Sequence, residues 1–105
     1  MVFIETSIFT RQVQDLLTDE HLRALQEWIA KSPTAGKLII GSGGCRKIRW
    51  NTATTGKRSG IRVIYYWLKD KDLVLLLLAY AKSRSDDLGQ AQIKLLGEIV
   101  KRELS

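Results

Sequence analysis

The run 73–81, Leu-Val-Leu-Leu-Leu-Leu-Ala-Tyr-Ala, constrains this chain more than any other feature. Leu73, Leu75 and Leu77 alternate with Val74, Leu76 and Leu78, so a strand here is apolar on both faces. That is the pattern of a central strand covered on both sides. At nine residues the run is far below the roughly 20 needed to cross a bilayer as a helix, so no membrane role is expected. A chain of 105 residues has room for a single domain with one modest core. The opening Met1, Val2, Phe3, Ile4, Glu5 has neither a basic n-region nor a cleavage site, and does not read as a signal peptide.

The rest of the chain supplies the layers around that strand. Phe3 and Ile4, with Val2 and Thr6, predict a short first strand. From Ile8 to Leu17 the apolar residues Phe9, Val13, Leu16 and Leu17 fall at helical spacing, with Thr6 or Ser7 as N-cap. Asp19 is the expected cap of a second helix with Leu22, Leu25 and Ile29 on its core face, ending near Ser32 and Pro33. The two form a helical hairpin. After Gly36, segments 37–40, 47–50, 61–68 and 73–81 are rich in β-branched and aromatic residues and punctuated by turn residues. Asp86 and Asp87 are expected to start a terminal helix with Ile93, Leu96, Ile99 and Val100 on one stripe. The whole reads as one α+β domain, residues 1–105: two N-terminal helices packed on a twisted, mainly antiparallel sheet, with a C-terminal helix.

Charge narrows the function. The formal net charge is +6, and between Trp28 and Lys69 there are nine Lys or Arg and no Asp or Glu, all 11 acids lying outside. A block of one sign repels itself, and suits a polyanionic partner. Lys47 and Arg49 share one strand face, with Arg46, Ile48 and Trp50 on the other. Lys57 and Arg58 occupy a hairpin tip between Gly56 and Gly60. Arg62, Ile64 and Tyr66 share a face of the next strand, as do Tyr80 and Lys82 at the end of the central one. Neighbouring strands would combine these into a concave surface where cations grip a backbone and aromatics stack on splayed bases. At least one of Tyr65, Tyr66 and Trp67 must be core. Arg62 sits inside an apolar run with no acid nearby in sequence, which disfavours a purely structural role.

Other chemistries find no apparatus. Residues 41–47, Gly-Ser-Gly-Gly-Cys-Arg-Lys, match neither the dinucleotide pattern nor the P-loop, since a strand follows. They read equally as a turn or as a contact to phosphates through backbone N–H groups. One Cys (Cys45) and one His (His21) make neither a disulfide nor a metal cluster, and no cofactor is implied. Asp70, Asp72, Asp86 and Asp87 read as a turn and a helix cap rather than paired metal ligands. Any catalysis must use Lys, Arg and Tyr. A reducing cytoplasm fits this composition.

Three stretches then resemble a known family. They are Gly-Ser-Gly-Gly-Cys-Arg-Lys-Ile-Arg-Trp (41–50), Gly-Lys-Arg-Ser-Gly-Ile-Arg-Val-Ile-Tyr-Tyr (56–66) and Leu-Ala-Tyr-Ala-Lys-Ser-Arg-Ser-Asp-Asp-Leu (78–88). Together they are similar to the RelE/ParE superfamily of toxins, nearest its HigB-type branch. The opening Phe-Ile-Glu-Thr-Ser-Ile-Phe-Thr-Arg-Gln-Val extends the likeness over nearly the whole chain. The resemblance implies a RelE-like fold and metal-free, ribosome-dependent cleavage of translated mRNA in the A site. It also implies neutralisation by a helix-turn-helix antitoxin, with operator DNA bound only through the antitoxin complex. Carried over by position, Lys57 and Arg62 would stabilise the charged phosphorane. Tyr80, Lys82 and Arg84 would stand at or beside the proton-transfer position. Lys47 and Arg49 would hold mRNA or ribosomal phosphates, and the basic surface read above adds Arg46, Arg58 and Tyr66 as expected RNA contacts. Where some relatives place a tyrosine after the last strand, this sequence has Asp86, Asp87 and Leu88, which leaves the general base unassigned. Two other readings share the basic block: a nucleic-acid-binding module without catalysis, and a ParE-like gyrase inhibitor, although relatives of that kind lack the cluster running from Arg46 to Arg62.

Overall fold

The N-terminal segment lies directly beside the apolar run. In the computed structural model, which describes residues 1–51, 60–81 and 88–104, strand β1 (Val2–Glu5) lies parallel to β5 (Leu73–Ala81). The other pairings are antiparallel: β5 with β4 (Ile61–Leu68), β4 with β3 (Arg46–Trp50), and β3 with β2 (Lys37–Leu38). The sheet order is β1-β5-β4-β3-β2. β5 therefore has a strand on each edge, and its two apolar faces are left for helices to cover. A single 3-10 turn (Lys69–Lys71) links β4 to β5, closed by Asp72 in the left-handed region at φ 47°.

Helix α1 (Ser7–Leu16) begins at Thr6, whose hydroxyl accepts from Phe9 N at 3.0 Å. Helix α2 (Asp19–Lys31) begins one residue earlier than the sequence suggests. Thr18 is the N-cap, accepting from His21 N at 3.1 Å, and Asp19 and Glu20 occupy the first turn, where their charge suits the helix dipole. Both helices lie on one sheet face, placing Phe9, Val13, Leu25 and Ile29 in a core with Ile48, Val63, Tyr65 and Leu76. Helix α3 (Gln90–Leu104) covers the other face with Leu96, Ile99 and Val100, in a second core with Cys45, Ile64, Leu75 and Leu77. The sheet is thus the middle of three layers. The last helix starts at Gln90, with Gly89 O accepting from Ile93 N, and not at the predicted Asp86 and Asp87: Leu88 and Gly89 are non-helical, and the two aspartates themselves lie outside the described residues. The predicted strand 37–40 shortens to Lys37–Leu38, because Ile39 N and O groups near it serve the following turn.

The glycine-rich stretch after β2 is that turn. Ser42 is fully buried, its hydroxyl donating to Ile39 O at 2.6 Å and accepting from Cys45 N at 3.0 Å. Gly41, Gly43 and Gly44 take φ values of 87°, 77° and 110°, which side chains disfavour. A side chain at Gly97, mid-helix in α3, would meet Ser42 O at 3.1 Å. These contacts support the turn reading for residues 41–44, with Arg46 and Lys47 already in β3.

Tyr65 ties the helical hairpin to the sheet. It is fully buried, its hydroxyl donating to Pro33 O at 2.8 Å and accepting from Gly36 N at 3.0 Å. Burial raises its phenol pKa, against the smaller opposing effects of the Gly36 bond and nearby Arg46. Burial raises the Cys45 thiol in the same way. In both, the folded chain holds a proton that the unfolded chain releases first. Their contribution is therefore complete below about pH 9, and declines as pH climbs through the raised values. Tyr65→Phe leaves a buried acceptor and donor unpaired and is expected to cost about 1–3 kcal/mol at neutral pH. Its stability should also fall less steeply above pH 10 than that of the parent, which urea titrations at several pH values would read.

Candidate functional site

Three residues line up across neighbouring strands, near one end of each. Arg49 on β3 is opposite Arg62 on β4, and Arg62 is opposite Tyr80 on β5. Neighbouring strands run about 4.8 Å apart, so the row spans roughly 10 Å. Lys47 stands two residues along β3 from Arg49 on the same face, in register with Ile64 and Leu78. Arg49 is exposed, Lys47 and Tyr80 are half-buried, and Arg62 is 7% exposed.

Arg62 is the chemically unusual member. A buried guanidinium ordinarily has an acidic partner or a full set of hydrogen bonds, because desolvating the charge is costly. Its Nη1 atom is buried without a hydrogen-bond partner among the described residues. Its cross-strand neighbour is a second cation, and like charges directly opposite repel. The site is thus a fixed positive charge with donor capacity to spare, chemically suited to an anion. Gly60 forms part of its wall. A side chain there would meet Asn51 Oδ1 at 2.8 Å and Arg62 Nη1 at 3.3 Å, with Arg49 Cγ at 3.5 Å. The sequence marks Gly60 only as the flank of a hairpin tip, and nothing local signals this close approach.

The remaining expected site residues divide into three groups. Lys57, Arg58, Lys82 and Arg84 lie outside the described residues. Arg46 is not brought to this face. It points to the helical-hairpin side of β3, where its Nη1 donates to Thr34 O at 3.0 Å and Gly36 O at 2.9 Å, so the fold itself accounts for it. Tyr66 is on the same face of β4 as Arg62, but Ile64 between them is completely buried in the second core. Tyr66 instead lines a separate cleft of about 440 Å³ with Gly43, Lys94, Gly97, Glu98 and Lys101. Lys47 borders another, of about 290 Å³, with Lys37, Leu38, Ile40 and Ile93. Among the described residues there is no group of three or more His, Cys, Asp or Glu that could hold a metal ion, and no helix long and apolar enough to cross a membrane.

No family model matches the chain. Solved structures do resemble it. An arginine double mutant of the E. coli toxin RelE in the free state aligns with a TM-score of 0.58 at 16% identity, covering 81% of this chain and 86% of the other. The intact E. coli RelBE toxin-antitoxin complex gives 0.54 at 19%, covering 74% and 92%. The isolated E. coli RelE toxin gives 0.53 at 19%, covering 96% of each chain. At these identities the likeness establishes the fold: three helices on a five-stranded mixed sheet, as in RelE.

Proposed function

We propose that this chain is a toxin of a type II toxin–antitoxin module, in the HigB-like branch of the RelE superfamily, and that it cleaves translated mRNA in the ribosomal A site. The observation that carries the reading is the buried, incompletely bonded Arg62 set between Arg49 and Tyr80. The RelE fold and the acid-free basic block support it.

The chemistry needs no metal. The mRNA 2′-hydroxyl attacks the adjacent phosphorus, the O2′–P bond forms and the P–O5′ bond breaks. One proton leaves O2′ and one reaches O5′. The products are a 2′,3′-cyclic phosphate and a 5′-hydroxyl. The nucleophile is already part of the substrate, so the protein has only to orient it and neutralise developing charge. Arg62, with Lys57, stabilises the phosphorane. Lys47 and Arg49 hold flanking phosphates, and Tyr80, Lys82 and Arg84 serve the proton-transfer position. The partners are the ribosome, its message and a helix-turn-helix antitoxin, through which the complex reaches operator DNA. The compartment is the cytoplasm.

The test is cleavage of message by the purified protein on programmed ribosomes. The expected product carries a 2′,3′-cyclic or 3′ phosphate, and its formation survives chelation of free divalent ions once ribosome integrity is separately maintained. A 3′-hydroxyl product would mean a water nucleophile and would exclude this scheme.

A further inference from the structure

We propose that Gln12 and Thr6 are positioning residues that hold the end of β5 in the one register placing Tyr80 beside Arg62. The catalytic half of this inference rests on the function proposed above; the structural half does not.

The register of β5 against β4 breaks once. Tyr65 pairs with Leu76 but Ile64 pairs with Leu78, so Leu77 is an extra residue, a β-bulge. Continuing the Tyr65–Leu76 pairing without the extra residue would set Ala79, not Tyr80, opposite Arg62. Tyr80 would then face the helical-hairpin side. A one-residue slip moves every later side chain to the other face. The bulge therefore decides whether Arg62 has a phenol or a methyl group as its neighbour.

Thr6, the N-cap of α1, and Gln12, in the middle of that helix, hold this irregularity. β1 stops pairing at Glu5 opposite Leu76. Beyond that point Leu76 O accepts from Thr6 N at 3.1 Å and Leu77 O accepts from Thr6 Oγ1 at 2.8 Å. Two successive carbonyls thus turn toward the same neighbour, which a regular strand does not allow. Ala79 N, two residues on, donates to Gln12 Oε1 at 2.9 Å. On its β1 side the end of β5 is consequently met by two side chains once that ladder has stopped, while its ladder with β4 runs on to Ala81, so each side chain can be removed without cutting the sheet. Gln12 is half-buried, next in sequence to buried Val13.

Thr6 also caps α1, so its variants mix two effects; Gln12 does not. Gln12→Leu keeps the bulk and removes the acceptor, whereas Gln12→Glu keeps an acceptor oxygen. Two readouts apply to the full purified chain. Cross-strand NOEs between Arg62 and Tyr80, with exchange of the Ala79 amide, report the register without any need for activity. Single-turnover cleavage on saturating ribosomes reports alignment, and misplacement of about 1 Å can lower such rates about 100-fold. Gln12→Leu is expected to lose the Arg62–Tyr80 NOEs, to speed Ala79 exchange, and to cut about 10- to 100-fold more slowly at unchanged ribosome affinity. Gln12→Glu should recover most of both. Retained NOEs in Gln12→Leu overturn the register lock, and wild-type cleavage by that variant overturns the positioning role whatever its NOEs. If the parent protein itself does not cut, the proposed function fails, and the NOEs still decide the register.

Discussion

Arg62→Met is expected to abolish cleavage while leaving the protein at least as stable as the parent. The guanidinium is 7% exposed, its Nη1 is without a hydrogen-bond partner among the described residues, and its cross-strand neighbour Arg49 carries the same charge. Holding it there costs folding free energy, and methionine of similar length would fill the space without the charge. Replacing buried charged groups with apolar ones of like volume is often neutral or stabilising by about 1–4 kcal/mol. On the catalytic side, removing one preorganised donor to a developing anion typically costs about 100- to 1,000-fold. The measurement is single-turnover cleavage at saturating ribosome complex, where binding differences drop out, beside urea denaturation of the same variant. A large loss of stability would mean that Arg62 is an ordinary structural residue. Near-parental cleavage would mean that it belongs only to the electrostatic footprint.

Leu75→Ala and Leu76→Ala are each expected to destabilise the fold by about 2–5 kcal/mol. They are adjacent on β5, fully buried, and point into different cores: Leu75 beneath α3, Leu76 beneath α1 and α2. β5 has β1 on one side and β4 on the other, so neither site can collapse by a strand moving outward. Leu95→Ala on α3, 52% exposed, is the control and should change stability by no more than about 0.5 kcal/mol. Denaturant midpoints at equal m-value decide the matter. One large and one small effect at Leu75 and Leu76 would show that β5 has a solvated face.

The layered fold was readable because β5 is apolar on both faces and the helices carry regular apolar stripes. The facing of Lys47 and Arg49 against Arg46 followed from strand alternation alone. What alternation could not supply was the bulge. Read as an unbroken strand, 73–81 puts Leu78 with Leu76, whereas the extra residue at Leu77 puts Leu78 in the core beneath α3. The compensating groups, Thr6 and Gln12, lie more than sixty positions away in sequence. The parallel pairing of β1 was equally hidden, since four residues say nothing about their direction. Arg46 shows the limit of counting charge: two loop carbonyls, of Thr34 and Gly36, occupy a cation that the composition assigns to the basic surface. In the candidate site, Arg62 stood out because an arginine within Ile, Val and Tyr neighbours has no local partner. The wall formed by Gly60 depends on tertiary approach and left no mark in the sequence.

The central claim is ribosome-dependent cleavage within translated frames, and one comparison tests it most directly. Purified protein is mixed with a defined message, either free or threaded through ribosomes with an empty A site, and the new ends are mapped. The account predicts rapid cuts confined to the A-site codon of the ribosome-bound message, leaving a 2′,3′-cyclic phosphate, with little cutting of free RNA. Equal rates on free and ribosome-bound message, or an intact message on stalled ribosomes, would contradict it.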